Sequence, residues 1–416
     1  MADVNGDGQP EVLHGTFYGD VYCLNGRTGA VVWTQTVDAN AAIESEPTVM
    51  KNNGETDFAC ATWDFTYDSN RIACYRASDH SLKWQHATHN LLYHGPATGD
   101  IDRDGRKELV IGDYDGYLYC LKADDGTLMW KDSVSKQSGG YIGAAVTLAD
   151  LNNDGYLDII YMDGNMVRVV NRNDSTEWTY SPPGDFTNFR GAVVADVNND
   201  NIKDVTFCTN YGTILSLDGV TGNVIRSFDF NTYAHNTLGD TSSIFEVDNA
   251  PIIADFDNDG VLDLFIIGGR GRSDSTTYQD NGYALCLNWG AGKGPAWTMF
   301  RHDQQRTACL CDSLGLPLNV SNETVASNVQ MNIAPNPASG AFNILFNAAE
   351  NENVSLSVMG VSGKVVLQID NYEAQRGSNT IRITNEEVNA LPAGMYFVNL
   401  RSSAVNETQK LVIQKK

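Results

Sequence analysis

Positive charge is scarce in this chain of 416 residues: 28 Lys and Arg stand against 52 Asp and Glu, a formal charge of −24. An acidic excess of that size argues against nucleic acid phosphates or an anionic membrane surface as partners, and favours cations. Long apolar runs are also missing. No stretch approaches 18 unbroken apolar residues, so no transmembrane segment is expected. The start lacks the charged and apolar regions of a signal peptide: Met1-Ala2-Asp3 runs straight into a patterned loop, which reads as a truncated N-terminus. The eight cysteines show no paired metal-site spacing and are too sparse for a disulfide scaffold. Cys23, Cys74, Cys120 and Cys286 share one apolar strand position (VYC, IAC, LYC, ALC) and are expected to be small buried residues. Cys60 and Cys74 fall on neighbouring expected strands, where an oxidising compartment would let them pair. Nucleophile elbows, Walker loops, dinucleotide fingerprints and HExxH are all absent.

What the chain does have is apolar content for real cores (42%) and 38 glycines in a turn-rich, β-leaning composition. Its length suits two to three domains of roughly 150 residues. Self-similarity dominates residues 1–306. The segment from Ala144 to Trp178 reads strand, acidic loop, strand, turn, strand, turn, and a strand ending in an aromatic. The order recurs at Gly95–Trp130, Ala192–Phe228, Ala250–Phe300 and Asp3–Trp33, with a worn copy at Glu46–Trp84. Such a period fits the four-stranded blade of a β-propeller, because a sheet with two apolar faces must stack on neighbours to bury them. Six units are expected, the first without its innermost strand. Residues 307–328 read as a linker. Residues 329–416 alternate in short segments (NILFN, VSLSVMG, KVVLQI, NTIRIT, MYFVNL, QKLVIQ) and predict a small Ig-like β-sandwich.

Five units carry an acidic loop. The candidate metal ligands are Asp3, Asn5, Asp7 and Glu11; Asp100, Asp102, Asp104 and Glu108; Asp150, Asn152, Asp154 and Asp158; Asp196, Asn198, Asp200 and Asp204; Asp255, Asp257, Asp259 and Asp263. Oxygens at positions 1, 3, 5 and 9 of a tight loop, with a carbonyl at 7, make a hard shell suited to Ca²⁺. Position 6 is glycine, or Asn201 once, as a left-handed turn requires. A metal-free turn is the plain alternative for one copy; five copies of converging like charge favour about five calcium sites. The worn unit (KNNGETD, 51–57) has lost the ligands. The loops hold 17 of the 52 acidic residues, so much of the net charge is cation-site charge.

The units resemble the FG-GAP/VCBS class of propeller repeats found in integrin α-subunit heads and bacterial surface proteins. Their second halves, GDVYCLNGRTGAVVW (19–33) and GYLYCLKADDGTLMW (116–130), resemble quinoprotein-like repeats. The resemblance implies calcium between the first and second strands of a blade. It does not imply a quinone enzyme, since the adjacent-cysteine pair is missing. The C-terminal segment carries four ordered motifs: Ala334-Pro335-Asn336-Pro337-Ala338-Ser339-Gly340, Gly360 to Val366, Leu391 to Val398 and Lys410 to Lys415. It resembles the type A sorting domain of type IX secretion in Bacteroidetes, which implies engagement of that machinery through 329–416 and a secreted or outer-membrane surface location.

His86, His89 and His94 sit close in sequence, but between blades and without a helix to align them; surface histidines are the favoured reading over a second metal site. Inter-blade connections and second-to-third strand loops share the face opposite the acidic loops, and the longest insertions, 231–249 and 270–283, belong to these loop types. There Glu44, Tyr93, His94, Tyr141, Phe189, Arg190 and Asp248 should ring the channel mouth, joined by Trp63, Tyr67, Tyr114 and Tyr211. Aromatics with a few polar groups suit a glycan or protein ligand. The leading expectation is a calcium-stabilised surface propeller that binds such a ligand without catalysis. Its rival is a glycan-active enzyme, such as a propeller polysaccharide lyase, with its site on that same face.

Overall fold

The computed structural model describes residues 1–415 apart from 53, 65, 67–69, 134–139, 184–189, 240–244, 248, 258, 271–281, 293, 295–296, 304, 312–330, 349, 361–363 and 403–405. It separates into two compact units, Met1–Leu316 and Pro317–Lys416. The first is a β-propeller of antiparallel meander blades. Blade 1 has three strands, Glu11–Gly15, Asp20–Asn25 and Val31–Thr36, and lacks an innermost strand as expected. Blades 2 to 5 have four each, and their innermost strands are Thr48–Asn52, Ala97–Gly99, Thr147–Ala149 and Val193–Ala195. The strands that follow them are among the most buried in the chain: Glu108–Gly112, Asp158–Asp163 and Asp204–Cys208 are buried at every position. This is why both sheet faces read as continuous apolar runs in the sequence.

Tryptophans at the ends of the repeats lock neighbouring blades together. The indole N–H of Trp84 donates to the Ala123 carbonyl at 2.9 Å, that of Trp130 to Arg172 at 2.9 Å, and that of Trp178 to Gly219 at 2.7 Å. Two of these rings lie on glycines of the next blade. A Cβ on Gly126 would come within 2.5 Å of Trp84, and one on Gly222 within 2.7 Å of Trp178; both glycines also have φ of +70°. The repeated Asp-Gly and Thr-Gly turns are therefore docking plates as well as turns. In blade 1 the corresponding Trp33 packs instead on His80 of blade 2, with ring centroids 4.3 Å apart.

Blade 6 departs from the expected pattern. Phe245–Glu246 and Ile252–Ala254 pair with one edge of Leu262–Arg270, and Gly282–Gly290 pairs with the other. The expected fourth strand ending at Phe300 is not formed among the described residues. The chain turns inward instead. Gly292 donates to the Val197 carbonyl, Gly294 bridges to Asp196, and Trp297 exchanges backbone hydrogen bonds with Ile253 at 2.7 and 2.8 Å. Without an outer neighbour among the described residues, residues 282–288 alternate between exposed and half-buried, and Trp289 and Gly290 are buried. Cys286 is consequently exposed, correcting its expected burial, whereas Cys23, Cys74 and Cys120 are buried.

The inward turn continues as a strap along the innermost strands. Gln305 accepts from Val49 N–H at 3.0 Å, Thr307 from Thr98 at 2.8 Å and Ala308 from Leu148 at 2.8 Å, after which Cys309–Leu310 runs parallel to Thr147–Ala149. The linker expected from residue 307 thus begins later, because 307–310 complete ladder bonds that inner strand edges would otherwise leave open. Arg301 anchors the strap. It is 2% exposed, and its guanidinium donates to Glu46 at 2.8 Å, to Thr48 and to the Pro96 carbonyl. Burial works against ionising Glu46, but Arg301 and His94 hold its carboxyl below the ordinary range. Cys309 and Cys311 form a disulfide that the sequence reading did not anticipate; Cys60 and Cys74 are free, since Cys60 pairs with Ala73 and Cys74 with Ala59.

The second unit is a sandwich. One sheet runs Asn332–Ala334, Phe342–Ala348, Gly377–Ile383; the other runs Val365–Ala374, Glu352–Gly360, Gly394–Arg401, Asn406–Ile413. Phe342, Ile344, Leu356, Val358, Ile381, Val398 and Leu411 fill its core. The first and last sequence motifs zip together. Ala338 N–H donates to the Val412 carbonyl, Gln414 N–H to the Ala338 carbonyl, and the Asn336 side chain bonds Val412 and Lys410. A six-residue helix, Asn385–Ala390, is closed by a capping box between Thr384 and Glu387.

Candidate metal loops and an aromatic cluster

Four of the acidic loops sit between the innermost and second strands of their blades, that of blade 1 leads into its first strand, and the same bonds recur in all five. The position-1 carboxylate accepts the position-6 N–H: Gly8 to Asp3, Gly105 to Asp100, Gly155 to Asp150, Asn201 to Asp196 and Gly260 to Asp255, all at 2.9–3.1 Å. The position-9 carboxylate reaches back to the position-2 N–H: Val4 to Glu11, Ile101 to Glu108, Leu151 to Asp158, Val197 to Asp204 and Phe256 to Asp263. Position 6 is left-handed as expected, with Gly105 at +85° and Asn201 at +69°. Position 4 is left-handed too, at Arg103, Asn153 and Asn199, which was not legible from the sequence.

These bonds use one oxygen per carboxylate; at position 1 the other oxygen accepts further backbone N–H groups in Asp3, Asp196 and Asp255. Asp150 Oδ1 and Asp204 Oδ1 are buried without a hydrogen-bond partner. Ligand atoms of Asp100, Asp102 and Glu108 lie within 4.8 Å of one another, as do those of Asp255, Asp257 and Asp259. Burial, then the charges of Asp102, Asp104 and Asp100, push Glu108 up to about 8. Burial and the neighbouring loop carboxylates push Asp158 and Asp204 up to about 7. Converging, partly desolvated oxygens of one sign fit a hard divalent cation. Adjacent loops also touch: Lys203 donates to the Asp150 carbonyl at 2.8 Å and to Asn153 at 3.1 Å, and Asn153 donates to the Asn201 carbonyl.

Blade 2 shows what the worn copy became. A hairpin joins Thr48–Asn52 to Glu55–Ala61, and the position-9 equivalent, Asp57, is fully buried with the Lys83 ammonium 2.7 Å away. A protein cation stands beside the carboxylate that a loop would otherwise have surrounded with others. The sequence signal was Lys83 itself, just before Trp84 in the fourth strand.

Antiparallel meandering puts the second-to-third strand loops and the inter-blade connections at the opposite ends of the strands from the acidic loops. There the structure brings together most of the expected ligand residues. Trp63 meets Tyr93 and Tyr114, each with ring centroids 5.1 Å away and edge-on. Tyr114 continues to Tyr141 at 5.7 Å, and the Arg190 guanidinium lies 5.9 Å from the Tyr93 ring centre. These rings are half-buried rather than freely exposed. Burial, then Tyr93 and Tyr141, raises the Tyr114 hydroxyl, while Glu44 and Arg190 also act on it. His94 is buried and joins Tyr93 to Phe300 on the strap at 4.8 and 5.7 Å. Tyr211 is exposed, with its carbonyl bonded by Asn231; Tyr67, Phe189 and Asp248 lie outside the described residues. Of the insertions, 230–238 forms short helical turns, and 271–281 lies outside the described residues.

The three clustered histidines have separate partners. His86 packs on Tyr119, His89 pairs with Asp115 at 2.8 Å, and His94 belongs to the aromatic cluster. His94 is buried, not a surface residue.

Comparison with known proteins follows the division into units. Residues 332–414 match the secretion system C-terminal sorting domain, and residues 2–260 match the model described as outer membrane protein assembly factor BamB. Integrin alpha pat-2 of Caenorhabditis elegans and that of Caenorhabditis briggsae are each 37% identical over 78 residues, 17% of this chain and 6% of the relative. The chain thus spans a small fraction of these curated relatives, and the likeness to integrin repeats is partial. Among solved structures, BamB from Moraxella catarrhalis aligns at a TM-score of 0.39 with 10% identity, covering 97% of this chain and 96% of that one. Quinohemoprotein alcohol dehydrogenase from Comamonas testosteroni aligns at 0.49 with 11% identity, covering 93% and 68%. Since the match over 2–260 takes in more than half of its length, the chain belongs to the family described as outer membrane protein assembly factor BamB, here carrying a type IX secretion tail.

Proposed function

We propose that this protein is exported through its sorting domain and works, secreted or at the outer-membrane surface, as a calcium-stiffened propeller that binds a glycan or protein ligand. The observation that carries the binding role is the meeting of Trp63, Tyr93, Tyr114 and Tyr141 from successive loops of blades 2 and 3, at the strand ends away from the acidic loops. Contiguous aromatic surface beside Arg190 and Glu44 offers stacking area together with hydrogen-bonding groups. Asp3, Asp100, Asp150, Asp196, Asp255 and their loop partners would hold the calcium ions, whose contribution is charge neutralisation and rigidity. The blades would then be held from one end and read ligand at the other.

A glycan array probed with the full chain and with Trp63→Ala tests the binding role. The expected result is a defined set of bound glycans, lost in the variant. Binding unaffected by Trp63→Ala would place the ligand elsewhere, and an array with no bound glycan would remove the glycan half of the proposal.

A further inference from the structure

We infer that the aromatic cluster takes uncharged pyranose units and rejects uronates and other acidic sugars. This inference rests on the ligand-binding reading just given, and narrows it. The geometry first removes a competing class. Aromatic recognition of an ammonium group needs rings that stand apart and face the cation from several sides. Here Trp63, Tyr93 and Tyr114 are in mutual contact, with centroids 5.1, 5.1 and 6.1 Å apart, and no cation fits between them. Packed at 59–69° to one another, the half-buried rings share no common plane, and each offers part of a face or an edge as apolar surface for the apolar face of a sugar ring.

Charge then decides between sugars. An acidic sugar buried against aromatics brings a carboxylate that needs a cation, since an unpaired buried charge is strongly unfavourable. The guanidinium that faces the rings is Arg190, and the Glu44 carboxylate already interacts with it. The carboxylates that flank the rings in sequence add little, since Asp64 and Asp113 are buried and Asp115 is held by His89; Glu44 is an exposed acid at the cluster. The chain's net charge, −24 without cations and still about −14 with five calcium ions bound, also repels polyanions at a distance. A neutral pyranose meets none of these costs, and its hydroxyls can bond to Glu44 and Arg190 without unpairing a charge.

The test titrates the full chain with laminari-, cello-, manno- and xylo-oligosaccharides, and with oligogalacturonate and oligomannuronate, at low and high salt. Binding of at least one neutral series is expected, insensitive to salt and weakened about tenfold or more by Tyr114→Ala. Glu44→Lys should add salt-sensitive binding of oligogalacturonate. Uronate binding by the unaltered protein, weakening with salt, would overturn the inference while leaving the ligand-binding reading intact. Binding of no sugar in any series would overturn the inference together with the glycan half of the ligand-binding reading. Melting curves of the variants separate lost binding from lost folding.

Discussion

In blade 2 a buried carboxylate near the start of the second strand, Asp57, has the Lys83 ammonium 2.7 Å away. In blade 4 the corresponding carboxylate, Asp158, faces the like charges of Asp154 and Asp150, and burial with those charges raises it to about 7. The same backbone position is therefore neutralised from within in one blade and, on the proposed calcium reading, left to an external cation in the other. A fixed ammonium costs side-chain entropy but is always present; a loop of oxygens depends on the ion concentration outside the cell. Blade 2 should be indifferent to calcium, and the blades with acidic loops should not be.

The largest effect expected from this contrast is global. If the acidic loops hold calcium as proposed, chelation would empty them all at once, and each site would contribute about 4 kcal/mol when the ion is present at a thousand times its Kd. Calorimetry with and without EDTA should show the melting temperature falling by on the order of ten degrees or more; an unchanged melt would break the comparison. Next in size is Lys83→Met. Leaving Asp57 buried and unpaired should cost about 3–5 kcal/mol, read from urea unfolding. The loss should be the same with or without calcium, and a loss that calcium repairs would mean that blade 2 also holds an ion.

The smallest effect is in the pH dependence. Glu108, Asp158 and Asp204 have folded-state values of about 8, 7 and 7, above the ordinary carboxylate range. In calcium-free buffer the folded protein then binds more protons than the unfolded chain between pH ~4 and ~8, and stability falls as pH rises through that window. Calcium favours the ionised carboxylates, so the slope should flatten or reverse when it is added. A calcium-free protein that gains stability over the same window would show that the loops are relieved by something other than a cation.

The blades were legible because their signal is periodic: the acidic loops, the Cys-containing third strands and the terminal tryptophans recur at corresponding positions. The sorting domain was legible because its four motifs come in order, and the structure joins the first to the last through Asn336, Ala338 and Val412. The strap was not legible, because it occurs once. Arg301, His302, Arg306 and Ala308 adopt positive φ without glycine, and Arg301 and Ala308 bond to inner strands and connections 160 to 255 residues away in the chain. Reading residues 250–300 as a regular blade followed from the same bias, and misplaced the segment ending at Phe300 and Cys286 together. The aromatic cluster was anticipated from topology alone, whereas its half-buried, mutually packed state depends on side-chain contacts that spacing does not encode.

The route of the strap also bears on mechanics. Past Leu310 the chain leads on to the sorting domain, and its last described hold on the propeller is the parallel pairing of Cys309 and Leu310 with Leu148 and Ala149, backed by the Arg301 anchor. A parallel strand pulled along its own axis is loaded in shear, so its hydrogen bonds share the strain instead of parting one by one. Tension transmitted through the C-terminal tether would then fall across the inner strands of blades 2, 3 and 4.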